Sequence, residues 1–555
     1  MKLLALIAAG AMFANAQSFA ELRDQYYNDY FHFSPSEGTS AGFHQYDSQL
    51  EDFSQSTNRA ELAMFRKYIP LFEKMPTTDE RDLLLSQMHA QILDIDQIRY
   101  WQTNPDYYSS YVTASIFSLI SRKFAPPEER LKSVIARERL IPKAFEEARI
   151  NLKNPPRIFT EVALEQMPGI IGFFRKDVPN AFSAVTDKAE RADFQKSNTG
   201  VIAALEHYQH FLKTDVLPRS HGDFRLGPEK YSKKLLYDEM VDIPLDRLLK
   251  IGYENLRDNQ RQLAAVAKQI DPAKTPEQIA DELAKDHPAP GQLLQSFRDT
   301  FASLKQFITS HHIIDIPSEG NPILEETPPF MRALTTASMD TPGPYEKKAT
   351  AAYFNITLPE KSWSPKETQE YMTAFNRGTI ISTAIHEAFP GHYVQLLWFQ
   401  KVQSKVRKLT QCGSNVEGWA HYTEQMMLDQ GYGNHDPKLR FGQLIDALLR
   451  DCRYIVGIEM HTSNMTYEQG IQFFMKQAYM THAYAERETK RGTSDPTYLV
   501  YTLGKLEILK LREDYHRKVG SAFNLEQFHD EFVKQGGIPI KIIRKNMLGN
   551  DSPAL

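Results

Sequence analysis

The densest cluster of side chains able to hold a metal ion is HEAFPGH at residues 386–392, followed by EGWAHYTE at residues 417–424. The first stretch stands inside an apolar helical pattern that runs over 379–400. The second follows Ser414-Asn415, and either of these residues can cap the start of a new helix. The sequence therefore predicts helices that carry the chemistry of the chain on histidine and glutamate side chains.

The two stretches contain the residue types that a zinc hydrolase needs. Such a site uses imidazole and carboxylate ligands, an open coordination position for water, and a nearby carboxylate that takes a proton without binding the metal. Glu387 directly follows His386, so its carboxylate would point beside the metal rather than at it. On a helical wheel Glu417, His421 and Glu424 lie within about 60° and share one face. That face can offer a ligand and a partner that orients a ligand histidine.

The spacing of the two histidines differs from the zincin motif HExxH, in which the ligands stand at i and i+4. Here the second histidine, His392, stands at i+6, about 240° round an ideal helix. Pro390-Gly391 lies between the histidines, and an internal proline kinks or bulges a helix. The zinc hypothesis therefore requires a bend that returns His392 to the metal.

The stretches HEAFPGHYVQ and CGSNVEGWAHYTEQM resemble the domain-of-unknown-function family 885, whose pattern is HExxPGHxxQ and then EGWAxYxE. Three further segments look like the family's central, C-terminal and tail motifs: 222–227, 498–512 and 528–539. The resemblance covers nearly the whole chain after residue 16. We expect a single family domain at 17–555, with a helical N-terminal part at 17–290 and a catalytic part at 291–555.

The family is similar to zinc metallopeptidases of the thermolysin and thimet-oligopeptidase type, in which a downstream glutamate is the third metal ligand. The resemblance implies that His386, His392 and Glu417 bind Zn²⁺ and that Glu387 is the general base. Glu417 stands 30 residues after Glu387, which suits a helix–loop–helix that returns Glu417 to the metal. The implied activity is hydrolysis of a peptide substrate by metal-activated water.

Supporting roles come from other family-like positions. His461 and Tyr501 are candidate catalytic donors of a hydrogen bond to the oxygen that gains negative charge. His421 and Glu424 are expected to support the ligands rather than to bind the metal. The predicted strand at 351–358 could present an edge to which an extended peptide adds as another strand.

Two positions depart from the family pattern. Tyr393 stands where many members have histidine, which narrows the choice of ligand toward His392. Gly457 stands four residues after Arg453, where members commonly have aspartate, so a supporting contact of the family is in question.

Most of the remaining sequence carries apolar residues at helical spacing, as in 127–152, 194–214 and 245–270. Strand patterns are few, and the best are 313–316 and 351–358. We therefore expect a mainly α fold, with a large helical body and a small β-sheet beside a zincin-like active-site cleft.

The 555 residues are 41% apolar and 24% charged, the composition of a soluble globular protein. A formal net charge of −5 provides no basic field for a nucleic-acid partner. Residues 1–16 combine a lysine, an apolar run and the small-x-small end ANA, which predicts a removed export signal and a periplasmic or extracellular protein. No other window is apolar enough to span a membrane, and no pattern indicates the oligomeric state.

Cys412 and Cys452 are the two cysteines of the chain. In an exported protein they could pair and close a long loop, or remain two small buried side chains. A chain of this length can bury a large core without such a bridge.

Two other functions stay open at this point. One is a catalytically inactive helical binding or scaffold protein that keeps the pocket without turnover. The other is a serine hydrolase, because GTSAG at residues 38–42 matches the G-x-S-x-G elbow around Ser40. That elbow needs a strand before it and a helix after it, whereas 33–37 and 44–47 are typical of loops.

Overall fold

A computed structural model of the chain describes residues 17–318, 320–327, 332, 336–360 and 362–555. The predicted export signal, residues 1–16, lies outside the described residues. The described part is mainly helical with a small three-stranded sheet, which confirms the mainly α fold expected from the sequence. In this part of the chain, no helix combines the length and apolar character needed to cross a membrane.

The helices and strands of the described residues have the following bounds. The first helices are α1 Phe19–Phe33, α2 Pro35–Ala41, α3 Gln55–Glu73, α4 Asp79–Ile92, α5 Tyr100–Thr103, α6 Asp106–Ile120, α7 Pro127–Glu138, α8 Ile141–Asn151, α9 Arg157–Gly172, α10 Val178–Ala181 and α11 Lys188–Phe211. They are followed by α12 Gly227–Glu239, α13 Leu245–Ile270, α14 Pro276–Leu283, α15 Leu293–Ser310, β1 Ile323–Glu326, β2 Ala337–Asp340 and β3 Tyr353–Ile356. The last helices are α16 Pro365–Met372, α17 Arg377–Glu387, α18 His392–Lys401, α19 Lys405–Leu409, α20 Gly413–Asp429, α21 Pro437–Thr462, α22 Tyr467–Gln477, α23 His482–Ser494, α24 Val500–Val519, α25 Leu525–Val533 and α26 Ile540–Leu548.

Local sequence signals account for several of these bounds. α13 has the limits that the apolar periodicity predicts, and the pattern at 194–214 falls in α11 and the π-helical turns after it. The predicted helix at 127–152 is instead two helices, α7 and α8. Pro142 lies in the first turn of α8, and it lacks the N–H that would continue the hydrogen bonding of α7.

The sheet has the strand order β1-β3-β2, with β1 parallel and β2 antiparallel to β3. β3 lies within the predicted strand 351–358, whereas 313–316 forms no strand. Ile313 and Ile314 are buried in the core, so the apolar run there reflects packing rather than pairing. Because β3 is central and pairs on both sides, the prediction that an extended peptide adds at 351–358 is wrong.

The core of the described residues consists of three hydrophobic clusters. One joins α1, α3 and α4 to α15, β3, α17 and the C-terminal helices α24–α26. The second lies among α6–α11, and the third joins α12 and α13 to α21–α24. Two of the clusters contain residues from both sides of position 290, so the packing does not follow the expected division into 17–290 and 291–555.

The two cysteines are buried and free, so the disulfide that the sequence left open does not form. Cys412 instead donates from its Sγ to the buried carboxylate of Glu239 at 2.7 Å. Burial raises the pKa of both thiols, which keeps them protonated.

Candidate metal centre

The predicted bend between the two histidines is a complete break in the helix. α17 ends at Glu387, a turn follows, and α18 begins at His392, so the pattern over 379–400 is two helices. Gly391 lies where the chain closes on itself, since a Cβ there would be 1.8 Å from the carbonyl oxygen of His386. The rings of His386 and His392 consequently meet at 4.8 Å between centroids, nearly perpendicular to each other.

The start of α20 differs from the prediction. The helix begins at Gly413 with Cys412 at the N-cap, and Ser414 and Asn415 lie inside its first turn. The Cys412 side chain makes no capping hydrogen bond to the first turn of α20. The buried carboxylate of Glu239 accepts hydrogen bonds from the backbone N–H groups of Gly413 and Ser414, at 3.2 and 2.8 Å, and so satisfies two donors of the helix end.

Close packing against α24 and one indole hydrogen bond position α20 beside the turn between α17 and α18. Gly418 and Gly504 meet where α20 crosses α24, and a Cβ on Gly504 would lie 1.7 Å from the carbonyl oxygen of Ser414. Trp419 donates from its Nε1 to the carbonyl oxygen of Pro390 at 2.9 Å. These contacts set the distance between Glu417 and the two histidines.

The structure brings His386, His392 and Glu417 together, and we call these three residues the metal group. Glu417 Oε2 lies 3.4 Å from the Nε2 atoms of both histidines. One ligand atom of each residue lies within 4.8 Å of the others, and no other such group of three occurs among the described residues. Both histidines are buried, whereas the Glu417 side chain keeps 29% exposure, which leaves a path for solvent.

The two distances from Glu417 Oε2 to the histidine nitrogens fit tetrahedral zinc. Two ligand atoms about 2.1 Å from zinc in a tetrahedral arrangement stand about 3.4 Å apart. Glu417 Oε2 is buried without a hydrogen-bond partner, an unusual state for a carboxylate oxygen unless a cation completes it. Two imidazoles and one glutamate also form a donor set that catalytic zinc uses.

Glu424 supports the metal group from behind. Its Oε1 accepts the hydrogen bond of His386 Nδ1 at 2.7 Å and its Oε2 that of His421 Nδ1 at 3.0 Å. Arg450 lies 3.1 Å from the same carboxylate, which is 1% exposed. A carboxylate behind a ligand histidine fixes the ring and leaves the other nitrogen for the metal.

Neighbouring opposite charges shift the pKa values of His386, Glu417 and Glu424 toward their charged forms. Burial lowers the pKa of His386, but the neighbouring Glu417 and Glu424 outweigh burial and raise it to about 10. Burial raises the pKa of both carboxyl groups, but the histidines beside Glu417 and the guanidinium of Arg450 beside Glu424 lower it well below the usual range. Without a cation the group therefore holds a proton on His386, and metal binding would release it.

Glu387 lies beside the metal group. It is the last residue of α17, and its side chain is partly exposed. Its negative charge also contributes to the raised pKa of His386. The carboxylate is therefore adjacent to the metal group without belonging to the set of three ligands.

Tyr501, one of the two predicted donors, lies next to the metal group. Its ring is 6.4 Å from that of His386 and nearly parallel to it. Its hydroxyl accepts a hydrogen bond from Arg491 at 3.4 Å, and the Arg453 guanidinium lies 5.2 Å from its ring centre. Burial and then the charge of Glu417 raise the pKa of Tyr501, so the hydroxyl keeps its proton for donation.

The structure places His461, the other predicted donor, elsewhere. Its Nε2–H donates to the carbonyl oxygen of Gly492 at 2.8 Å, and its ring packs edge-on against Phe224. Burial lowers the pKa of His461 to about 4, so the ring is neutral. Among the described contacts of His461, none reaches the metal group.

The two departures from the family pattern have local explanations. A Cβ on Gly457 would lie 2.8 Å from the Tyr498 ring and 3.0 Å from the carbonyl oxygen of Pro496, so a larger side chain would displace both. Tyr393 is buried, its ring packs on Phe389, and its hydroxyl pairs with Ser318.

Sequence reasoning missed Arg450. The residue lies in an apolar part of α21 and pairs with Asp446 one turn earlier at 3.7 Å. A charged side chain in such a helix requires a partner, which is a signal that the sequence contains. That the partner is Glu424, from another helix, follows only from the packing of α20 on α21.

The G-x-S-x-G match at 38–42 does not form a nucleophile elbow. Its residues belong to α2 and the glycine that ends it, and α1 rather than a strand precedes them. Ser40 is exposed at the end of this helix. The geometry that a serine hydrolase requires is therefore not met at Ser40.

Residues 35–547 match the family described as "Bacterial protein of unknown function (DUF885)", and the chain belongs to this family. A solved structure from Shewanella oneidensis, described as "a putative lipoprotein of unknown function", is similar with a TM-score of 0.81 and 28% identity, over 96% of this chain and 100% of that one. A "putative lipoprotein" from Colwellia psychrerythraea shares the fold, with a TM-score of 0.80 and 16% identity over 95% and 98% of the two chains. No curated protein matches.

Proposed function

We propose that this member of the family is an exported zinc-dependent peptidase that hydrolyses peptide bonds. The observation that carries the proposal is the metal group, in which two imidazole nitrogens lie 3.4 Å from one carboxylate oxygen without a hydrogen-bond partner. Glu387 beside this group and Glu424 behind it are the base and the orienting carboxylate that such a site needs.

The chain's own residues divide the chemistry between them. His386, His392 and Glu417 would hold the zinc ion, which when bound polarises the scissile carbonyl and lowers the pKa of water. Glu387 takes the proton of the attacking water and passes it to the leaving amine. Tyr501 donates a hydrogen bond to the oxygen that gains negative charge.

The export part of the proposal rests on two observations. Residues 1–16 have the three regions of an export signal. The two solved structures from Shewanella oneidensis and Colwellia psychrerythraea are described as putative lipoproteins, a class of exported protein. Fractionation of cells that express the chain with and without residues 1–16 tests this part, and equal distribution of the two forms would contradict it.

Metal content and peptide hydrolysis of the purified protein test the catalytic part. The wild type should hold one zinc ion per chain and hydrolyse peptides of a mixed library. Glu387→Gln should keep the zinc and lose about 10²–10⁴-fold in rate, because it removes only the base. His386→Ala should lose zinc and hydrolysis, whereas His207→Ala, a change at an exposed histidine, should lose neither.

Two results would count against the peptidase. Wild-type protein that is purified without chelators and takes up no transition metal would overturn the proposal. Stoichiometric zinc without hydrolysis of any peptide in the library would instead favour the inactive binding or scaffold protein.

A further inference from the structure

A second anionic site lies apart from the metal group, in a cavity of about 300 Å³ among α2, α3, α5 and α6. Five carboxylates line it, those of Glu37, Glu51, Asp52, Glu61 and Asp94. No lysine, arginine or histidine is among the described residues that line it. We call this volume the acidic cavity.

Three of its carboxylates form no ion pair among the described residues, although the charge of Glu51 contributes to raising the pKa of Arg137 against its burial. Glu37 accepts a hydrogen bond from the Tyr30 hydroxyl, and Glu51 accepts two from Ser36 at 2.9 and 2.8 Å. Glu61 makes no hydrogen bond or ion pair within the part of the chain that the structure describes. The other two carboxylates pair with lysines outside the cavity.

The unpaired carboxylates repel one another. Burial, and then the charges of Glu37 and Glu51, raise the pKa of Glu61 to about 7. Burial also raises the pKa of Glu37, with a further contribution from Glu51. Since a cation between like charges removes this repulsion, the cavity favours a positively charged occupant.

Aromatic rings form the other walls. Tyr107 and Tyr111 lie 4.8 Å apart between ring centroids, and both pack on Phe53. Tyr100 and Trp101 line the same volume. The faces of such rings attract ammonium and guanidinium groups and cover the apolar stem that carries them.

The spacing of the carboxylates separates this cavity from a metal site. The ligand atoms of one metal ion lie within about 5 Å of each other. Among the described residues only the metal group satisfies a limit of 4.8 Å. Carboxylates spread round a volume of about 300 Å³ instead suit a cation on an extended carbon chain.

The charge of Asp495 acts on the wall of the acidic cavity, and contacts of Asp495 lead on to the metal group. After burial, the charge of Asp495 is among those that raise the pKa of Tyr100 in the cavity wall. Asp495 pairs with Arg491 at 3.0 Å, and Arg491 contacts Tyr501 beside the metal group. The cavity also shares two lining residues with a larger cavity of about 780 Å³.

We propose that the acidic cavity binds the basic side chain, lysine or arginine, of a peptide substrate held at the metal group. The identity of the substrate rests on the proposed function, whereas the charge of the bound group follows from the cavity alone. Glu37 and Glu61 determine the specificity, and Tyr111 stacks on the cation or its stem.

The test measures peptide binding by calorimetry with the Glu387→Gln protein, so that the peptides stay intact. Three peptides differ at two places: an acetylated peptide with a central lysine, the same peptide with norleucine, and the norleucine peptide with a free N-terminus. The lysine peptide should bind at least about tenfold more tightly than the acetylated norleucine peptide. The third peptide shows whether an N-terminal ammonium replaces the side chain.

The substitutions Glu37→Gln and Glu61→Gln are added together to the Glu387→Gln protein. They should weaken binding of the lysine peptide until it is no tighter than binding of the norleucine peptide. Tyr111→Leu should reduce the preference a few-fold. The matched control is Glu229→Gln, which removes one charge from an exposed glutamate paired with Lys233 and should keep the full preference.

Equal binding of the lysine and norleucine peptides, or a preference that survives both cavity substitutions, would overturn the inference. Binding of the free-N-terminus peptide as tight as the lysine peptide would overturn the assignment to a side chain. If the double substitution prevents folding, Tyr111→Leu and the salt dependence of lysine binding decide the question. A protein without zinc or hydrolysis that still prefers lysine would refute the peptidase and keep the cavity.

Discussion

The metal group and the acidic cavity both gather carboxylates inside the protein, but they compensate the charge differently. In the metal group, histidines lower the pKa of Glu417 and Arg450 lowers that of Glu424. In the acidic cavity, burial and neighbouring carboxylates raise the pKa of Glu37 and Glu61. The carboxylates of the first site are compensated by positive charges of the protein, whereas Glu37 and Glu61 in the second site form no ion pair with the described residues.

This difference has a geometric origin. The metal group needs one sharp break in a helix and one close contact between α20 and α24 to bring its atoms to a point. The acidic cavity uses side chains from several helices that surround a volume. The same residue type therefore favours a compact metal ion in one place and an extended organic cation in the other, because the spacing differs.

The largest effect is expected from Gly391→Ala, which breaks the metal group and leaves the acidic cavity intact. The new Cβ would lie 1.8 Å from a carbonyl oxygen, so the turn that places His392 must move. We expect zinc affinity to fall more than about 100-fold and the free energy of unfolding to fall by about 2–4 kcal/mol. Chelator competition and denaturation measure the two quantities.

The control for this change is Gly200→Ala inside α11, where no atom lies within 4 Å of the new Cβ. It should leave zinc affinity unchanged and raise the free energy of unfolding by about 0.5–1 kcal/mol. Zinc binding by Gly391→Ala at the wild-type level would show that the break does not position His392.

Arg450→Met should show that the metal group depends on a positive charge outside it, which compensates the buried carboxylate of Glu424. The change leaves Glu424 buried without its guanidinium partner, so we expect the free energy of unfolding to fall by about 3–5 kcal/mol. Zinc affinity should fall about 10–100-fold, because the carboxylate no longer holds the His386 ring. The exposed Arg517→Met is the control and should change stability by less than about 0.5 kcal/mol.

Stability in acid should depend on the buried His529, whose Nε2 forms a hydrogen bond with the Tyr422 hydroxyl of α20. Burial lowers the pKa of His529 to about 3, below the usual value of 6.5. Its contribution to stability is therefore complete above pH 6.5 and is lost as the pH falls toward 3. His529→Gln should reduce the loss of unfolding free energy between about pH 7 and pH 5 by about 1–2 kcal/mol. An unchanged pH dependence would contradict this assignment, and His207→Gln serves as the exposed control.

The acidic cavity should show the opposite and smaller pH dependence. Because the pKa of Glu61 is raised to about 7 from 4.5, the folded state loses stability as the pH rises from about 4.5 to 7. Glu61→Gln should therefore raise the free energy of unfolding by about 1–2 kcal/mol at pH 8 and change it little at pH 4. Denaturation at both pH values measures this, with the exposed Glu73→Gln as control. A destabilised Glu61→Gln at pH 8 would show that the carboxylate is already compensated.

Local patterns made part of the fold predictable. Apolar spacing predicted the observed limits of α13, because the bounds of a long amphipathic helix follow from its own periodic pattern. The same spacing merged α7 with α8, because periodicity continues across a proline that interrupts hydrogen bonding. At 313–316 burial in the core produced the apolar run that resembles a strand.

The candidate site was predictable in its residues but not in its surroundings. His386, His392 and Glu417 stand out through motif and spacing, and the structure brings them within reach of one ion. Arg450, which pairs with Glu424 of α20, belongs to α21. The hydrogen bond of Trp419 likewise joins two segments, because its acceptor is the carbonyl oxygen of Pro390 between α17 and α18. Their roles depend on distances between segments that no local pattern encodes.

From its own residues the sequence determined a mainly helical family member and the side chains suited to zinc chemistry, because residue type and periodicity are local properties. Tertiary structure alone decided that the helix breaks completely before His392, that His461 donates to the carbonyl oxygen of Gly492, and that β3 is central. It also decided that Glu37 and Glu61, far apart from any ligand motif, enclose one cavity. The reason is physical: burial, like-charge repulsion and the approach of two helices arise only when distant segments pack together.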